Sequence, residues 1–311
     1  MKIGIIGNEM ILIRCLQHMM NYPNADIQFV IYDPNYENKF GAIQTFCEKN
    51  NIRTFKESRI NTPSLIECIK KYRPDIIVSI SNYWIMNREW LAIPPQGVIN
   101  FHNAPPSRYH GLNIPSWVII NGEKEHGVMW HYAQEKVDAG DVIGFRMFPL
   151  NSEETAASLM VKCIQQGISL FKEIFEDILN ERAKCIKQGK NSSFYLKSDL
   201  PENQGVLDFR WDLGKIERLV RGLNYIPFKN HFCHARIKTN SGEVIVNQVN
   251  TKSEKTILAP GSIVSIDDDE FRIACRDGSI SVINAMNSQN EELDARSIAD
   301  ILQVKEGDII E

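Results

Sequence analysis

Residues 98–144 read VINFHNAPPSRYHGLNIPSWVIINGEKEHGVMWHYAQEKVDAGDVIG, and the fold and the site are both predicted from this stretch. It opens with two β-branched apolar residues, which are typical of the end of a buried strand. Because successive side chains of a strand point to opposite faces, Asn100 and His102 should face the same side. Asp138 follows in a later loop, after a second predicted strand at 127–130. We therefore expect an amide, an imidazole and a carboxylate to converge at one strand end.

From residue 2 to about 181, short β-branched runs alternate with longer amphipathic segments. This alternation predicts an α/β domain over 1–181, a Rossmann-like open parallel sheet with helices on both faces. The predicted strands are 2–6, 27–32, 76–80 and 97–100, and the predicted helices are 11–20, 40–50, 62–72, 114–121 and 155 to about 183. Open sheets of this kind bind ligands beyond the carboxyl ends of their strands, where Asn100 and His102 lie. The first β-α turn lacks G-x-G-x-x-G, which argues against a dinucleotide site.

Residues 182–204 lose the hydrophobic periodicity and gain Lys, Ser, Asn and Pro, so we predict a linker. A second domain is expected over 205–311. It begins with a predicted helix at 213–223, followed by about five short strands that are separated by Gly- and Asp-rich turns, including Asp267-Asp268-Asp269. That pattern favours a small, closed, OB-like β-barrel.

Composition excludes several classes of protein. With 311 residues, 43% of them hydrophobic and 24% charged, the chain can bury two cores. No apolar run approaches the roughly 18 to 20 residues of a membrane span, and the chain starts directly with a strand, so a cytoplasmic protein without membrane contact is expected. Seven scattered cysteines without a C-x-x-C pair indicate reduced thiols. His231 and His234 should diverge on a strand entry, so we expect no metal.

The 98–144 segment resembles the 10-formyltetrahydrofolate-dependent formyltransferase family. The resemblance rests on N-x-H at Asn100–His102, a Pro-rich loop at 105–111 that ends in aromatic, basic and Gly residues, and D-x-G-D at 138–141. The 36 positions between His102 and Asp138 also suit the family. Further on, 206–227 is similar to the start of the C-terminal domain of methionyl-tRNA formyltransferases and the larger sugar formyltransferases. The resemblance therefore covers nearly the whole chain.

Formyl transfer needs a neutral amine nucleophile, stabilisation of the oxyanion and a base for the amine proton. The resemblance implies that Asn100 and His102 polarise the formyl group and that Asp138 supports proton removal. Chemically, Asp138 could hold the imidazole in its working tautomer and balance the charge that it develops. The alternative is that Asn100 caps a turn, His102 is a satisfied buried histidine and Asp138 binds backbone N–H groups in a tight loop.

The expected co-substrate is 10-formyltetrahydrofolate, without a metal. Its flat pterin ring suits an apolar slot whose walls offer backbone N–H and C=O groups. The resemblance places that backbone at Trp84, Ile85 and Met86. The opposite wall would be formed by the residues around Asp138, namely Val137, Ala139, Gly140 and Asp141. Alternatively, Trp84, Ile85 and Trp90 are ordinary core.

The loop 107–113 would face the amine substrate. Arg108 could bind phosphate, and Tyr109 could lie against a base or sugar face. His110 stands where many relatives have a second arginine, which leaves the substrate open. A solvated loop without a ligand role is the alternative.

Charge bears on the acceptor. Residues 205–311 hold 13 basic and 17 acidic side chains, a net of −4, whereas residues 181–204 hold 5 and 3, a net of +2. A tRNA-binding domain should present a basic face. We therefore expect a small-molecule amine, such as a nucleotide-linked amino sugar, with a methionyl-tRNA formyltransferase as the alternative. A formyl-folate hydrolase or a folate-binding protein is the third possibility.

Overall fold

A computed structural model describes residues 1–36, 41–189, 193–254, 257–267 and 270–310. The chain forms two compact units. The first comprises Met1–Gly111, Glu125–Phe148 and Val161–Tyr195, and the second comprises Leu112–Lys124, Pro149–Met160 and the chain from Leu196 onward. Among the described residues, none of the helices has the length and apolar character needed to cross a membrane.

The elements are listed here in chain order. The part of the chain up to residue 195 contains β1 (Lys2–Gly7), α1 (Glu9–Met19), β2 (Asp26–Tyr32), α2 (Ala42–Lys49), β3 (Thr54–Lys56), α3 (Pro63–Lys70), β4 (Ile76–Ile80), α4 (Arg88–Leu91), β5 (Val98–His102), β6 (Tyr109–Gly111), α5 (Ile114–Ile120), β7 (Glu125–Tyr132), β8 (Val142–Pro149), α6 (Ala156–Leu179) and β9 (Ser193–Tyr195). The remainder contains a 3₁₀ turn (Glu202–Gly205), α7 (Leu213–Leu223), β10 (Arg236–Lys238), β11 (Glu243–Ser253), β12 (Ile263–Ile266), β13 (Phe271–Cys275), β14 (Gly278–Met286), β15 (Glu292–Leu293) and α8 (Ala295–Leu302).

The main sheet of the first unit has the order β3-β2-β1-β4-β5-β7-β8 among the described strands. The pairs from β3 to β5 are parallel. The two central strands β1 and β4 are buried over nearly their whole length, which requires cover on both faces, and helices supply it. The Rossmann-like α/β class is thereby confirmed.

The sheet is mixed, whereas the sequence predicted a parallel one. β5 and β7 are antiparallel, with His102 opposite Met129 and Ile99 opposite Tyr132. β5 thus pairs with the second half of β7, from Met129 to Tyr132. The chain leaves the sheet at the end of β5 and returns in the neighbouring strand β7. It makes no crossover connection of the kind that joins two parallel strands.

The predicted elements of this region form with small shifts in their bounds, although Phe40, the predicted start of the second helix, lies outside the described residues. β5 is longer than predicted and includes His102. Five elements were not predicted, namely β3, α4, β6, β8 and β9. Four of them have three or four residues, which is too few for a periodic pattern, whereas β8 has eight residues and was missed outright.

The second unit contains an antiparallel sheet of order β10-β11-β14-β13-β12, with β15 beside β14. The helices α7 and α8 supply Ile216, Leu219 and Ile298 to its buried apolar cluster. Among the described strands, β10 and β12 end the ladder, so the barrel is a half-barrel. Of the predicted Asp-rich turn, Asp268 and Asp269 lie outside the described residues.

The segment predicted to be a linker, 182–204, is not a free connector in its first half. Ile186 forms an isolated antiparallel bridge with Val142, and β9 pairs in parallel with β6. Residues 182–195 therefore belong to the first unit, and only the part from Leu196 onward belongs to the second. Polar composition signalled a loop, but the backbone hydrogen bonds of that loop are satisfied by distant segments, which composition does not reveal. Of the linker lysines, Lys190 lies outside the described residues.

Candidate active site

Four polar side chains meet where β5 ends beside β7. Asn100 and His131 are directly opposite in the strand pair, and His102 lies two residues further along β5. Asp138 comes from the loop after β7, and its carboxylate lies 3.6 Å from both His102 Nδ1 and His131 Nε2. The side chains of His102, His131 and Asp138 are 7%, 1% and 9% exposed. The structure thus brings together the three predicted residues and adds a fourth, His131.

The Asn100 carboxamide has one orientation because the Phe101 carbonyl can only accept and must therefore bind Nδ2. Ser79 Oγ donates to Asn100 Oδ1 at 2.7 Å, and Asn100 Nδ2 donates to the Phe101 carbonyl at 3.1 Å. Nδ2 also lies 3.2 Å from His131 Nε2. Asn100 is inside a strand and bonds three groups, so it does not cap a turn.

His131 is held in one neutral tautomer. Its Nδ1 lies 2.9 Å from the Tyr132 carbonyl, which can only accept, so Nδ1 carries the proton. Nε2 of the neutral ring therefore has a lone pair, which accepts from Asn100. A proton on Nε2 would end that bond and would face the Asp138 carboxylate. The state of His131 thus decides whether an Asn100 N–H is free for another acceptor.

His102 is arranged in a similar way. Its Nε2–H donates to the Tyr109 carbonyl at 2.8 Å, so the neutral ring has its lone pair on Nδ1, facing Asp138. We expected Asp138 to select the tautomer, as the acid does in a Ser-His-Asp triad. Here the Tyr109 carbonyl selects it, because that carbonyl is the hydrogen-bond partner. Asp138 instead faces the basic nitrogen and stabilises the ring once Nδ1 is protonated.

Asp138 is a buried carboxylate with several compensating contacts. Burial alone would raise the pKa of Asp138, but the Gly111 backbone N–H and the two imidazoles, when their facing nitrogens His102 Nδ1 and His131 Nε2 are protonated, together hold that pKa below its ordinary value of 3.8. The Gly111 N–H donates to Oδ2 at 3.1 Å. Asp138 thus binds a backbone N–H, as the alternative interpretation required, and in addition faces two imidazoles. It is ionised at neutral pH.

His131 was missed because the predicted strand at 127–130 stopped one residue short of it. The signal was present, since extending the strand by one residue would have placed His131 on β7. Its position opposite Asn100 depends on the register between the two strands, which a single sequence does not reveal.

The predicted cofactor loop after β4 is ordered by Asn82. The Asn82 carboxamide accepts from the Trp84 N–H at 2.9 Å and donates to the Trp84 carbonyl and to Ser79 Oγ, both at 3.2 Å. Ser79 in turn binds Asn100, so one chain of hydrogen bonds joins this loop to the candidate oxyanion donor. The Trp84 N–H is therefore already paired within the protein.

The side chains of this loop differ in their exposure. Trp84 packs partly against the apolar cluster of this unit, and Met86 and Trp90 are buried in it, as the core alternative stated. Ile85 is 68% exposed. Its apolar side chain is therefore open to solvent, and its carbonyl accepts from the Asn61 carboxamide at 2.9 Å.

The loop around Asp138 was predicted to form the opposite wall of the cofactor slot, and its residues differ in burial. Val137, Ala139 and Asp141 are partly buried, and Gly140 is buried. A Cβ at Gly140 would lie 1.7 Å from the Tyr132 carbonyl oxygen, so only glycine allows this close approach.

The three predicted substrate residues lie in different environments. Arg108 is exposed and pairs with Glu125, Nη2 to Oε1, at 2.9 Å. Tyr109 is buried, and its ring stacks on Tyr195 with centroids 5.8 Å apart. His110 is buried beside His102, and burial and that neighbour lower the pKa of His110. The solvated-loop alternative is therefore wrong for Tyr109 and His110, because β6 is covered by β9.

Among the described residues, no group of three or more His, Cys, Asp or Glu side chains is arranged to hold a metal ion.

The fold and the site define a transferase in which an amide donor and paired imidazoles surround a buried carboxylate. Residues 23–174 match the family model described as formyl transferase, and residues 199–302 match the formyl transferase C-terminal domain. The chain belongs to the formyl transferase family.

Relatives and solved structures agree with this assignment. A methionyl-tRNA formyltransferase of Clostridioides difficile (strain 630) is 28% identical over 291 residues, which cover 91% of each chain. WlaRD, a sugar 3N-formyl transferase crystallised in the presence of dTDP and 5-N-formyl-THF, has a TM-score of 0.70 at 21% identity and covers 93% of this chain and 98% of its own. An N-formyltransferase from Helicobacter canadensis in complex with folinic acid and dTDP-3-aminofucose has a TM-score of 0.69 at 20% identity, covering 91% and 99%. The two structures show that the fold is shared.

Proposed function

We propose that this formyltransferase moves the formyl group of 10-formyltetrahydrofolate to the primary amine of a small molecule, most simply a nucleotide-linked amino sugar. The observation that carries the transfer chemistry is the buried cluster in which the Asp138 carboxylate lies 3.6 Å from His102 and from His131. Each ring presents to that carboxylate the nitrogen that is basic in its neutral form.

The reaction forms a bond between the amine nitrogen and the formyl carbon and breaks the bond from that carbon to the folate nitrogen. One proton leaves the amine, and the departing nitrogen gains one. His102 Nδ1 accepts the amine proton, because it is the basic nitrogen of the neutral ring and the Asp138 carboxylate, 3.6 Å away, stabilises the resulting imidazolium. The same nitrogen then returns a proton to the departing group.

Asn100 stabilises the negative charge that develops on the formyl oxygen. Its N–H bonds to neutral His131 in the resting protein. Protonation of His131 Nε2 removes that acceptor and leaves the Asn100 N–H free for the formyl oxygen. A donor used in this way contributes about 10²–10³ in rate. The bond from Ser79 keeps the amide from rotating.

Two observations favour a folate co-substrate. Folded relatives of this architecture are described with 5-N-formyl-THF and with folinic acid. In this chain, the exposed Ile85 offers apolar surface, and the Asn82–Ser79–Asn100 hydrogen bonds connect its loop to the transfer site. Trp84, Met86, Val137, Ala139, Gly140 and Asp141 are the other residues that we propose to line the folate site.

The acceptor is inferred from charge and from the structural neighbours. Residues 205–311 carry 13 basic and 17 acidic side chains, a net of −4, which disfavours a clamp on tRNA. Both structural neighbours are sugar or N-formyltransferases described with dTDP or a dTDP-linked sugar. In the substrate loop, Arg108 is the exposed cation that would bind phosphate, by exchanging Glu125 for the ligand.

A second candidate is methionyl-tRNA formyltransferase. It is favoured by the relative from Clostridioides difficile, which matches over 91% of both chains. Filter binding of charged initiator tRNA over a salt series separates the candidates, since only the tRNA enzyme predicts a steep negative slope of log affinity against log salt.

The direct test is incubation with 10-formyltetrahydrofolate and a panel of nucleotide-linked amino sugars, aminoacyl-tRNA and free amino acids, with products read by mass. A formylated amino sugar supports the proposal. Formylated aminoacyl-tRNA alone would replace it with the tRNA enzyme, and formate release without any amine would indicate a formyl-folate hydrolase. Binding of folate without turnover would indicate a folate-binding protein.

A further inference from the structure

Residues 186–189, which follow the long helix α6, form a strap over the candidate active site. Ile186 exchanges two backbone hydrogen bonds with Val142, at 2.8 and 2.9 Å. Gly189 N–H donates to Ser107 Oγ at 2.6 Å. The strap is therefore attached at both ends to segments that flank the site, although its sequence was predicted to be linker.

Gln188, in the middle of the strap, uses its whole carboxamide within the protein. Its Nε2 donates to the backbone carbonyls of Asp138 and Gly140, both at 2.8 Å. Its Oε1 accepts from the Ser107 N–H at 3.1 Å. Carbonyls only accept and backbone N–H groups only donate, so the amide has one possible orientation. Gln188 thus joins the Asp138 loop to the substrate loop.

The backbone conformation of the two loops gives an independent reason for this link. Ser107 has φ +62° and Asp138 has φ +55°, and both are left-handed positions occupied by residues other than glycine. Such a conformation costs of the order of 1–3 kcal/mol and persists only where the surroundings enforce it. Both left-handed residues are among the three whose backbone groups Gln188 binds, the third being Gly140.

We infer that Gln188 is a positioning residue that sets the orientation of the Asp138 carboxylate against His102 and His131. Without the Gln188 amide, the carbonyls of Asp138 and Gly140 lose their donors, and the loop can relax from its left-handed geometry. The carboxylate would then move from the two ring nitrogens. The part of this inference that concerns rate rests on the proposed function, whereas the part that concerns geometry does not.

Geometry is tested first, by amide hydrogen exchange of the Gly111 N–H, which donates to Asp138 Oδ2 at 3.1 Å. Gln188→Ala should speed that exchange at least about tenfold, because the displaced Asp138 carboxylate no longer accepts a hydrogen bond from the Gly111 N–H. The matched control is Gln96→Ala, which removes a surface amide of the same unit that bonds the exposed Glu181. Unchanged Gly111 exchange in a folded Gln188→Ala protein would overturn the inference, whatever the activity.

The kinetic test is a double-mutant cycle. In the wild-type background, Gln188→Ala should lower kcat about 10- to 100-fold and leave the KM of the amine within about twofold. In an Asp138→Asn background the same change should cost less than about twofold, because Gln188 acts through Asp138. An equal loss in both backgrounds would overturn the inference, whereas a merely structural role would lower only the melting temperature.

Gln188→Glu provides a second variant. It keeps the acceptor for the Ser107 N–H but cannot donate to the Asp138 and Gly140 carbonyls, so it should be as slow as Gln188→Ala. Activity equal to the wild type in Gln188→Glu would contradict the inference. If the wild type transferred formyl to no amine, the proposed function would fail, and the Gly111 exchange would still decide the positioning role.

Discussion

Asp138→Asn is the substitution that separates the charge of the carboxylate from its shape. The asparagine has the same size and can still accept from the Gly111 N–H. What is lost is the negative charge that lies 3.6 Å from His102 Nδ1 and from His131 Nε2. A proton received by either ring would then no longer be balanced.

The expected size of the effect follows from this distance. Two unit charges about 4 Å apart interact by about 4 kcal/mol at an effective dielectric constant of about 20. Screening by solvent is small here, because the Asp138 side chain is 9% exposed and His102 is 7% exposed. Each 1.36 kcal/mol changes a rate about tenfold, so about 10³ is the upper limit for a fully developed charge. We expect kcat to fall by about 10²–10³.

The assay is single-turnover formyl transfer at saturating co-substrate, on protein whose folding is verified by its melting curve. The matched control is Asp177→Asn, which neutralises an exposed carboxylate paired with Arg182 in the same unit and should leave kcat unchanged. An Asp138→Asn enzyme within about threefold of the wild type would refute the role of the charge. A loss shared equally by Asp177→Asn would mean that the effect is not specific to the site.

Three further substitutions test other parts of the structure. Burial lowers the pKa of His126 from 6.5 to about 4. As the pH falls, this histidine is protonated in the unfolded chain before it is protonated in the folded protein. The free energy of unfolding should therefore fall by up to about 3 kcal/mol as the pH drops from 6.5 to 4. In chemical denaturation at both pH values, His126→Gln should make this dependence smaller, whereas the exposed His231→Gln should leave it unchanged. A wild type that is equally stable at both pH values would contradict the prediction. Gly140→Ala should lower the melting temperature and abolish transfer, because the new Cβ would lie 1.7 Å from a carbonyl oxygen. Gly214→Ala is the control and should be tolerated, because its Cβ would meet a flexible arginine side chain. Normal activity in Gly140→Ala would show that the loop is not tightly packed. Arg108→Lys should raise the KM of a phosphorylated amine and leave the KM of the folate unchanged, because lysine cannot make the bidentate contact that a guanidinium makes with phosphate. Equal changes of the two KM values in steady-state kinetics would contradict this role.

Local patterns were sufficient to predict the part of the fold that depends on short-range order. The β-branched runs predicted β1, β2, β4 and β5, and alternation along β5 placed Asn100 and His102 on one side. The family resemblance added Asp138. These three residues meet in the structure because β5, β7 and the following loop bring them together.

Features that depend on pairing between distant segments could not be predicted. His131 faces Asn100 only through the register of β5 and β7, and that register follows from tertiary packing. The burial of Tyr109 and His110 results from the pairing of β6 with β9, some 84 residues later in the sequence. Gln188 lies in a polar stretch whose composition resembles a linker, although its hydrogen bonds hold the site. The direction of β7 was unpredictable for the same reason, since only the partner strand determines it.

The most direct test of the central claim is the transfer of an isotopically labelled formyl group from 10-formyltetrahydrofolate to an amino sugar linked to a nucleoside diphosphate. The account predicts label in the sugar amide with the wild type, and about 10²–10³-fold less with Asn100→Ala, which lacks the oxyanion donor. Label found only in formate, or only in aminoacyl-tRNA, would contradict the claim of a small-amine N-formyltransferase. Equal labelling of the sugar by wild type and Asn100→Ala would contradict the assignment of the site.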